Sequence, residues 1–228
     1  MKHLTIVGMS LILLIVAGCT SPRAGREFRD MPIGIPYKPD NVYSVESLPT
    51  DFKRVVILPF SLNRLDHDFM PGVEAAMINA LRRQARFEIV QVSADELYKL
   101  LGDDNLTFDK PIPVQLLEKI QAGYGADGIL QTEITAFRPY KPILIGVQTR
   151  LFTAAGDRIL WSCDEVFDAG NEKIALGARI HAEKELQQPY PLQSSYSALI
   201  SPQRFGSYVG HIMYKTLPPR TLTDDSSL

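Results

Sequence analysis

The chain has 228 residues, of which 45% are hydrophobic and 22% are charged, and its formal net charge is −2. These values are ordinary for a packed globular protein, and the length suits one domain with a tether or two small domains. A chain so close to neutral, with no block of like charges, lacks the basic face that a nucleic-acid partner requires. We therefore expect no nucleic-acid partner.

The first 18 residues predict a secretion signal. Lys2 and His3 precede an apolar run that extends from Leu4 to Gly18. The run is shorter than the roughly 20 apolar residues that a membrane-spanning helix needs, so a cleaved signal is favoured over a retained helix. We assign residues 1–18 to this signal.

The signal ends in Val16-Ala17-Gly18-Cys19, which resembles the lipobox of bacterial lipoproteins. In that family the cysteine sulfur receives a diacylglyceryl group, the signal is cut before the cysteine, and the new amino terminus is acylated. The resemblance implies lipidation of Cys19. Because Thr20 stands where the family's inner-membrane retention signal has Asp, it also implies anchoring in the outer membrane, on the periplasmic face. Beyond this covalent lipid we expect no cofactor.

Residues 19–50 predict the lipidated cysteine followed by a proline-rich tether. The segment has neither a strand period nor a helix period, and its prolines are spread among polar residues at Pro22, Pro32, Pro36, Pro39 and Pro49. In the polyproline II conformation, the part from Thr20 to Thr50 would reach about 95 Å at ~3.1 Å per residue. The sequence leaves open whether four side chains dock onto the domain: Tyr37, Val42, Tyr43 and Val45.

The folded domain is predicted over residues 51–217, and its first part alternates strands with helices. The apolar run Arg54–Phe60 predicts a strand that is covered on both faces. A helix with Pro71 in its first turn follows, and its buried stripe is formed by Val73, Ala76, Met77, Ala80 and Leu81. Phe87–Val92 predicts a second strand.

Two further helices are predicted before the next strand. Ser93 and Glu96 form a capping box that begins a short helix, and Gly102 ends it. Pro113 precedes another helix, which is predicted to end at Gly123 and to bury Val114, Leu117 and Ile120.

The domain continues with three successive strands, predicted at 126–137, 143–152 and 158–167. Their connections are short enough for hairpins, so neighbouring strands should pair antiparallel. One face of the last strand carries Ile159, Trp161, Cys163 and Phe167. A helix at 171–186 follows, and a final helix has its apolar stripe at Phe205, Val209, Ile212 and Met213.

This order of elements predicts a single α/β domain with a mixed sheet flanked by helices, in which helix–strand alternation is followed by a three-strand antiparallel meander. Residues 218–228 predict a frayed tail. Cys163 is the one cysteine besides Cys19. A lipidated Cys19 therefore leaves Cys163 without a partner and the fold without a disulfide.

Three short strings lie between residues 54 and 168: VVILPF at 55–60, GADGIL at 125–130 and GDRILWS at 156–162. With the order of elements, they resemble the superfamily that comprises the amino-terminal domain of TolB, the curli-secretion lipoprotein CsgG and the penicillin-binding-protein activator LpoB. The resemblance implies a non-catalytic protein–protein interaction module in cell-envelope assembly or regulation. Its partners would be envelope proteins that the sequence does not identify, and no small-molecule substrate is expected.

The curli-secretion relative supplies an alternative function, a ring-forming component of a secretion or transport system. Such a subunit adds long hairpins that line a barrel, whereas the connections here, at 138–142 and 153–157, are short. A membrane-spanning strand needs about 9 to 11 residues. The short connections therefore favour the interaction module.

Two motifs that suggest a bound cofactor or metal have plainer interpretations. Gly123–Gly128 matches G-x-G-x-x-G, but it follows a helix and precedes a strand, which is the reverse of a dinucleotide site. Asp66, His67 and Asp68 are neighbours in a loop, and such neighbours rarely converge on one ion. We predict no metal or cofactor site.

A third hypothesis is an enzyme that uses Cys163 or a histidine. Cys163 lies on an apolar strand face, which favours an inert core thiol. Ser207, within Gly206–Gly210, is misplaced for a G-x-S-x-G nucleophile and lies in a helix pattern. His181 and Glu185 are spaced i, i+4, which favours a surface ion pair.

Two stretches have the composition of a partner-binding surface. Phe137, Arg138 and Tyr140 combine aromatic and arginine side chains at a predicted hairpin tip. Tyr190 and Tyr196 lie in an irregular stretch that is long for a plain connector. We predict these five residues as candidate partner-binding residues, and a rigid turn or a strap over the sheet is the alternative for each stretch.

Overall fold

The computed structural model of the chain describes residues 34–35, 37–62, 68–102, 106–185 and 195–221. In chain order the strands and α-helices are β1 Val42–Ser44, β2 Arg54–Ile57, β3 Ser61–Leu62, α1 Met70–Arg82, β4 Glu88–Gln91, α2 Ala94–Leu101, α3 Val114–Tyr124, β5 Gly128–Arg138, β6 Leu144–Thr153, β7 Ile159–Asp168, α4 Glu172–Glu185 and α5 Pro202–Tyr214. A short 3-10 helix, Ser195–Leu199, precedes α5. None of these described helices is long and apolar enough to cross a membrane.

The strands form one mixed sheet in the order β1-β7-β6-β5-β2-β4, and β3 pairs with β5. β2 lies between β4 and β5 and is parallel to both. The neighbouring pairs β5–β6, β6–β7 and β7–β1 are antiparallel. The predicted fold class, a mixed α/β domain with an antiparallel meander, is therefore confirmed.

The continuous apolar run in β2 follows from burial on both faces of the sheet. Val55 and Ile57 belong to the larger hydrophobic core, which also contains residues of α1, α4 and α5. Val56 points to the opposite face and belongs to a smaller core, which contains residues of α2 and α3. Because successive side chains of a strand alternate in direction, a strand between two cores must be apolar at each buried position, as Val55, Val56 and Ile57 are.

Local signals set the ends of the helices on the smaller core. The capping box at the start of α2 is confirmed, since the Glu96 amide donates to the Ser93 hydroxyl and the Glu96 carboxylate accepts from the Ser93 amide. Gly102 ends this helix in the left-handed conformation, with φ of 78°. α3 ends in the same way at Gly125, and the prediction that it ends at Gly123 is wrong.

Two residues predicted to be buried are exposed. Val114 is the first residue of α3 and is 62% exposed, while Leu116, Leu117 and Ile120 are buried. Ile159 at the start of β7 is 44% exposed. A shift in register between β6 and β7 explains this exposure. Trp161 pairs with Leu151 of β6, and Ile159 pairs with the next residue, Phe152. The buried Leu160 is therefore an extra residue on β7 without a partner position on β6.

The folded domain begins earlier than predicted. Residues from Tyr37 onward, which the sequence assigns to the tether, pack against β7: β1 pairs with it, and the Tyr37 ring lies edge-on to Phe167 at 6.0 Å. Leu48 is fully buried in the larger core. Burial of the scattered apolar residues fixes the segment to the sheet edge, which answers the question that the sequence left open. Tyr37, Val42 and Val45 pack against the larger core, whereas Tyr43 is 54% exposed. The signal and Cys19 lie outside the described residues.

The end of the chain is also ordered further than predicted. The Leu48 amide donates to the Pro219 carbonyl at 2.9 Å, and Leu48 forms a parallel bridge with Arg220. The hydroxyl of Thr221 donates to the Leu48 carbonyl. These backbone contacts hold residues 218–221, whereas the remainder of the predicted tail, 222–228, lies outside the described residues.

Candidate functional site

The β5–β6 hairpin presents two of the predicted binding residues at its tip. Arg138, the last residue of β5, donates from Nε to the Pro142 carbonyl at 2.6 Å. Its Nη2 also contacts the Asp168 carboxylate on β7 at 3.3 Å. The guanidinium therefore ties both ends of the hairpin loop to the neighbouring strand and fixes the position of the residues between them.

Tyr140 lies in this loop and pairs with an aromatic residue that the sequence does not single out. Its side chain is 70% exposed, and its ring meets that of Phe69 edge-to-face, with the centroids 6.2 Å apart. Phe69 immediately precedes α1 and is itself 39% exposed. We name Phe69, Arg138 and Tyr140 the aromatic tip. No sequence period could reveal Phe69, because it meets Tyr140 only after the sheet has formed.

Two other predicted binding residues, Phe137 and Tyr196, lie apart from the pair of exposed aromatic rings. Phe137 is half-buried and packs against the larger core. Tyr196 is exposed on the 3-10 helix, where the Arg179 guanidinium lies 4.2 Å above its ring. Tyr190 lies outside the described residues. Of the five predicted residues, Arg138 and Tyr140 are thus the pair that the fold brings to one exposed surface.

A cluster of polar side chains joins α1, α4 and α5. Glu185 of α4 accepts a hydrogen bond from the Ser207 hydroxyl of α5 at 3.1 Å. It also forms an ion pair at 3.1 Å with the guanidinium of Arg83, which follows α1. His181 Nε2 lies 3.2 Å from the same carboxylate oxygen, so the predicted i, i+4 contact forms. The hydrogen bond with His181 lowers the pKa of Glu185 to about 2. The carboxylate therefore stays charged and links three helices.

This cluster does not have the geometry of a serine hydrolase. Ser207 and Glu185 contact the same ring nitrogen, His181 Nε2, at 3.3 and 3.2 Å. A catalytic triad needs the nucleophile and the acid on opposite nitrogens of the imidazole, so that the acid orients the base. Ser207 is also only 9% exposed. The contacts are those of a helix junction.

The glycines that flank Ser207 have a packing role. A Cβ at Gly206 would lie 3.0 Å from Val73 Cγ1, and a Cβ at Gly210 would lie 2.9 Å from Met77 Cα. The two glycines are four residues apart on α5, and the residues that they face, Val73 and Met77, are also four residues apart on α1. The G-x-S-x-G resemblance therefore reflects a small-residue ridge that lets two helix backbones approach closely.

Cys163 is enclosed in the larger core. Its side chain is 1% exposed, and burial, aided by Glu165 and Asp164, raises the pKa of the thiol to about 12. A nucleophilic cysteine needs the thiolate at neutral pH, which burial disfavours.

We expect Cys163 to be unreactive in the folded protein. In a Cys19→Ser background, a chromogenic disulfide reagent should label no thiol in buffer and one thiol after unfolding in guanidinium chloride. The matched control adds Ser44→Cys, at an exposed position of β1, and should react at once without denaturant. Rapid labelling of Cys163 in the native chain would contradict this expectation.

The described residues contain no group of three or more His, Cys, Asp or Glu side chains that could hold a metal ion. Asp66 and His67 lie outside them. No protein-family model and no curated protein sequence matches the chain.

Several solved structures share a similar course of the chain. The PelC dodecamer from Paraburkholderia phytofirmans is 12% identical, covers 78% of this chain and 96% of its own, and has a TM-score of 0.46. Lipoprotein GNA1162 from Neisseria meningitidis is 18% identical, and the match covers 58% of this chain and 96% of the lipoprotein chain, with a TM-score of 0.42. The LpoB C-terminal domain from Salmonella enterica is 16% identical, and the match covers 52% of this chain and 84% of the LpoB chain, with a TM-score of 0.35. Likeness at this level is confined to the fold.

Proposed function

We propose that this chain is a lipid-anchored, non-catalytic binding domain of the bacterial cell envelope. Cys19 would hold it in the outer membrane on the periplasmic side, and the domain would bind an envelope protein through the aromatic tip. The observation that carries the proposal is the exposed edge-to-face pair of Phe69 and Tyr140 beside a fixed arginine.

The aromatic tip has the physical properties of a binding hot spot. Aromatic and arginine side chains carry a large share of the energy in protein interfaces because they bury much area with few rotatable bonds. Here the Arg138 contacts with Pro142 and Asp168 hold the loop in place before any partner arrives. Less conformational entropy is then lost on binding.

The contacts of the potentially reactive groups support the non-catalytic part of the proposal. Cys163 is buried in the core, and Ser207, His181 and Glu185 are engaged with each other and with Arg83. Each therefore already has a structural role that a substrate would have to disrupt.

Site-specific photo-crosslinking tests the binding surface. A benzophenone amino acid placed at Tyr140 in the full chain should give a discrete crosslinked product in cells on irradiation. The matched control places it at Tyr98 on α2, which is 59% exposed, and should give none. Phe69→Ala should weaken the interaction by on the order of 2 kcal/mol, as expected for a hot-spot residue, and should deplete the product. Equal products from both positions would argue against the aromatic tip.

Metabolic labelling tests the anchor separately. Cells that express the full chain should incorporate radiolabelled palmitate into it, and Cys19→Ala should abolish that label because the thiol is the acceptor of the lipid. Cys163→Ala is the control and should leave the label intact. Label that persists in Cys19→Ala would refute anchoring at this residue.

A further inference from the structure

A cleft of about 1120 Å³ lies on the side of the domain away from the smaller core. One wall is the segment that precedes and enters β1, and the other walls are the outer faces of α4 and α5. Five side chains give the cleft an apolar lining: Ile35, Tyr37, Val42, Ile180 and Ile212. Ile35 is 84% exposed, so apolar surface is open to solvent at the mouth.

The same cleft carries an excess of positive charge. Lys38, Lys184 and Lys215 line it from three different elements, and all three are exposed. Among the described residues, no carboxylate lies within ion-pair distance of these lysines. Asp40 is the single acidic residue of the lining. Three lysines and one acidic residue therefore line the cavity, and the nearby carboxylates of Glu165 and Glu185 contact the Asp40 amide and His181 from outside the lining.

The floor of the cleft contains a buried hydroxyl group that lacks a hydrogen-bond partner in the described part of the chain. His181, Tyr208 and Gly177 line it, and Tyr208 is 2% exposed. The Tyr208 hydroxyl has no hydrogen-bond partner among the described residues and lies directly over Gly177, where any side chain would collide with it. Buried polar groups usually have a partner. An oxygen acceptor that enters the cleft beside Gly177 would supply one.

We propose that this cleft binds an amphipathic anion, with its aliphatic chain on the apolar lining and its carboxylate or phosphate group among Lys38, Lys184 and Lys215. A cationic amphiphile would be repelled by the three ammonium groups, and a small polar ligand would leave the apolar lining in water. The proposal does not depend on the aromatic tip, which is formed by other elements.

Native mass spectrometry of the full chain in a nonionic detergent tests this site. Lauryl phosphate and laurate are titrated separately, with dodecyltrimethylammonium as the cationic counterpart. We expect one saturable adduct per chain with at least one of the two anions and none with the cation. The two anionic arms distinguish a phosphate ligand from a carboxylate ligand. Equal binding of the cation, or no anion adduct, would overturn the proposal.

A pair of charge-matched variants separates the cleft from general surface charge. Lys38→Ala, Lys184→Ala and Lys215→Ala together should weaken anion binding by about tenfold or more, because each exposed ion contact contributes modestly. Lys53→Ala, Lys99→Ala and Lys110→Ala remove the same charge from exposed positions outside the cleft and should leave affinity unchanged. Circular dichroism confirms that both variants fold. An equal loss in both variants would refute a specific site.

Discussion

Leu48→Ala should lower the free energy of unfolding by about 2–5 kcal/mol, the usual cost of truncating a fully buried leucine. Leu48 is 0% exposed and belongs to the larger core, although it lies between Ser47 and Pro49 and outside any run of apolar residues. Its backbone also contacts Pro219, so the side chain packs where both ends of the domain meet. Truncation should therefore leave a cavity that the surrounding backbone cannot easily fill.

Urea unfolding followed by tryptophan fluorescence measures this effect. Trp161 is the single tryptophan of the chain, is fully buried, and donates from Nε1 to the Thr216 hydroxyl at 2.9 Å. Tyr43→Ala is the control in the same segment, because Tyr43 is 54% exposed, and its effect should stay within about 0.5 kcal/mol. If both variants unfold as the wild type does, the segment is a free tether and its docking is wrong.

Gly210→Ala should destabilise the domain by about 1–3 kcal/mol, the range observed when a packed interior is overfilled. The added Cβ would lie 2.9 Å from Met77 Cα and 3.0 Å from Ala80 Cβ, both on α1. Backbone atoms cannot rotate away as a flexible side chain can, so α1 and α5 would have to move apart. The loss should appear in the urea midpoint with an unchanged denaturant slope.

Gly123→Ala is the matched control on a different helix. Gly123 lies in α3, and a Cβ added there would meet no atom within 4 Å. Alanine is favoured over glycine in a helix by about 0.5–1 kcal/mol, so this variant should be stabilised. Opposite signs for the same substitution would establish that close packing against α1 is the cause. Equal shifts in the same direction would contradict it.

Short-range sequence signals predicted the structure correctly where residues close together in the chain determine it. The Ser93–Glu96 capping box forms as expected because both partners lie within one helical turn. The three strands of the meander pair as expected because their connections are too short for any other arrangement. The inert environment of Cys163 also followed from its strand face. The predictions that Val114 and Ile159 are buried were wrong. The rotation of a helix about its axis and the register of a strand both depend on the neighbouring element, which the sequence does not show.

The sequence by itself determined the fold class and the main helices and strands from Arg54 onward, since both depend on residue type and short-range spacing. Only the tertiary structure decided that the segment around Leu48 belongs to the core and that Phe69 meets Tyr140. It alone also brought Lys38, Lys184 and Lys215 to one cleft. The physical reason is the same in each case: these contacts join residues far apart in the chain, and packing of the sheet and helices, rather than any local preference, brings them together.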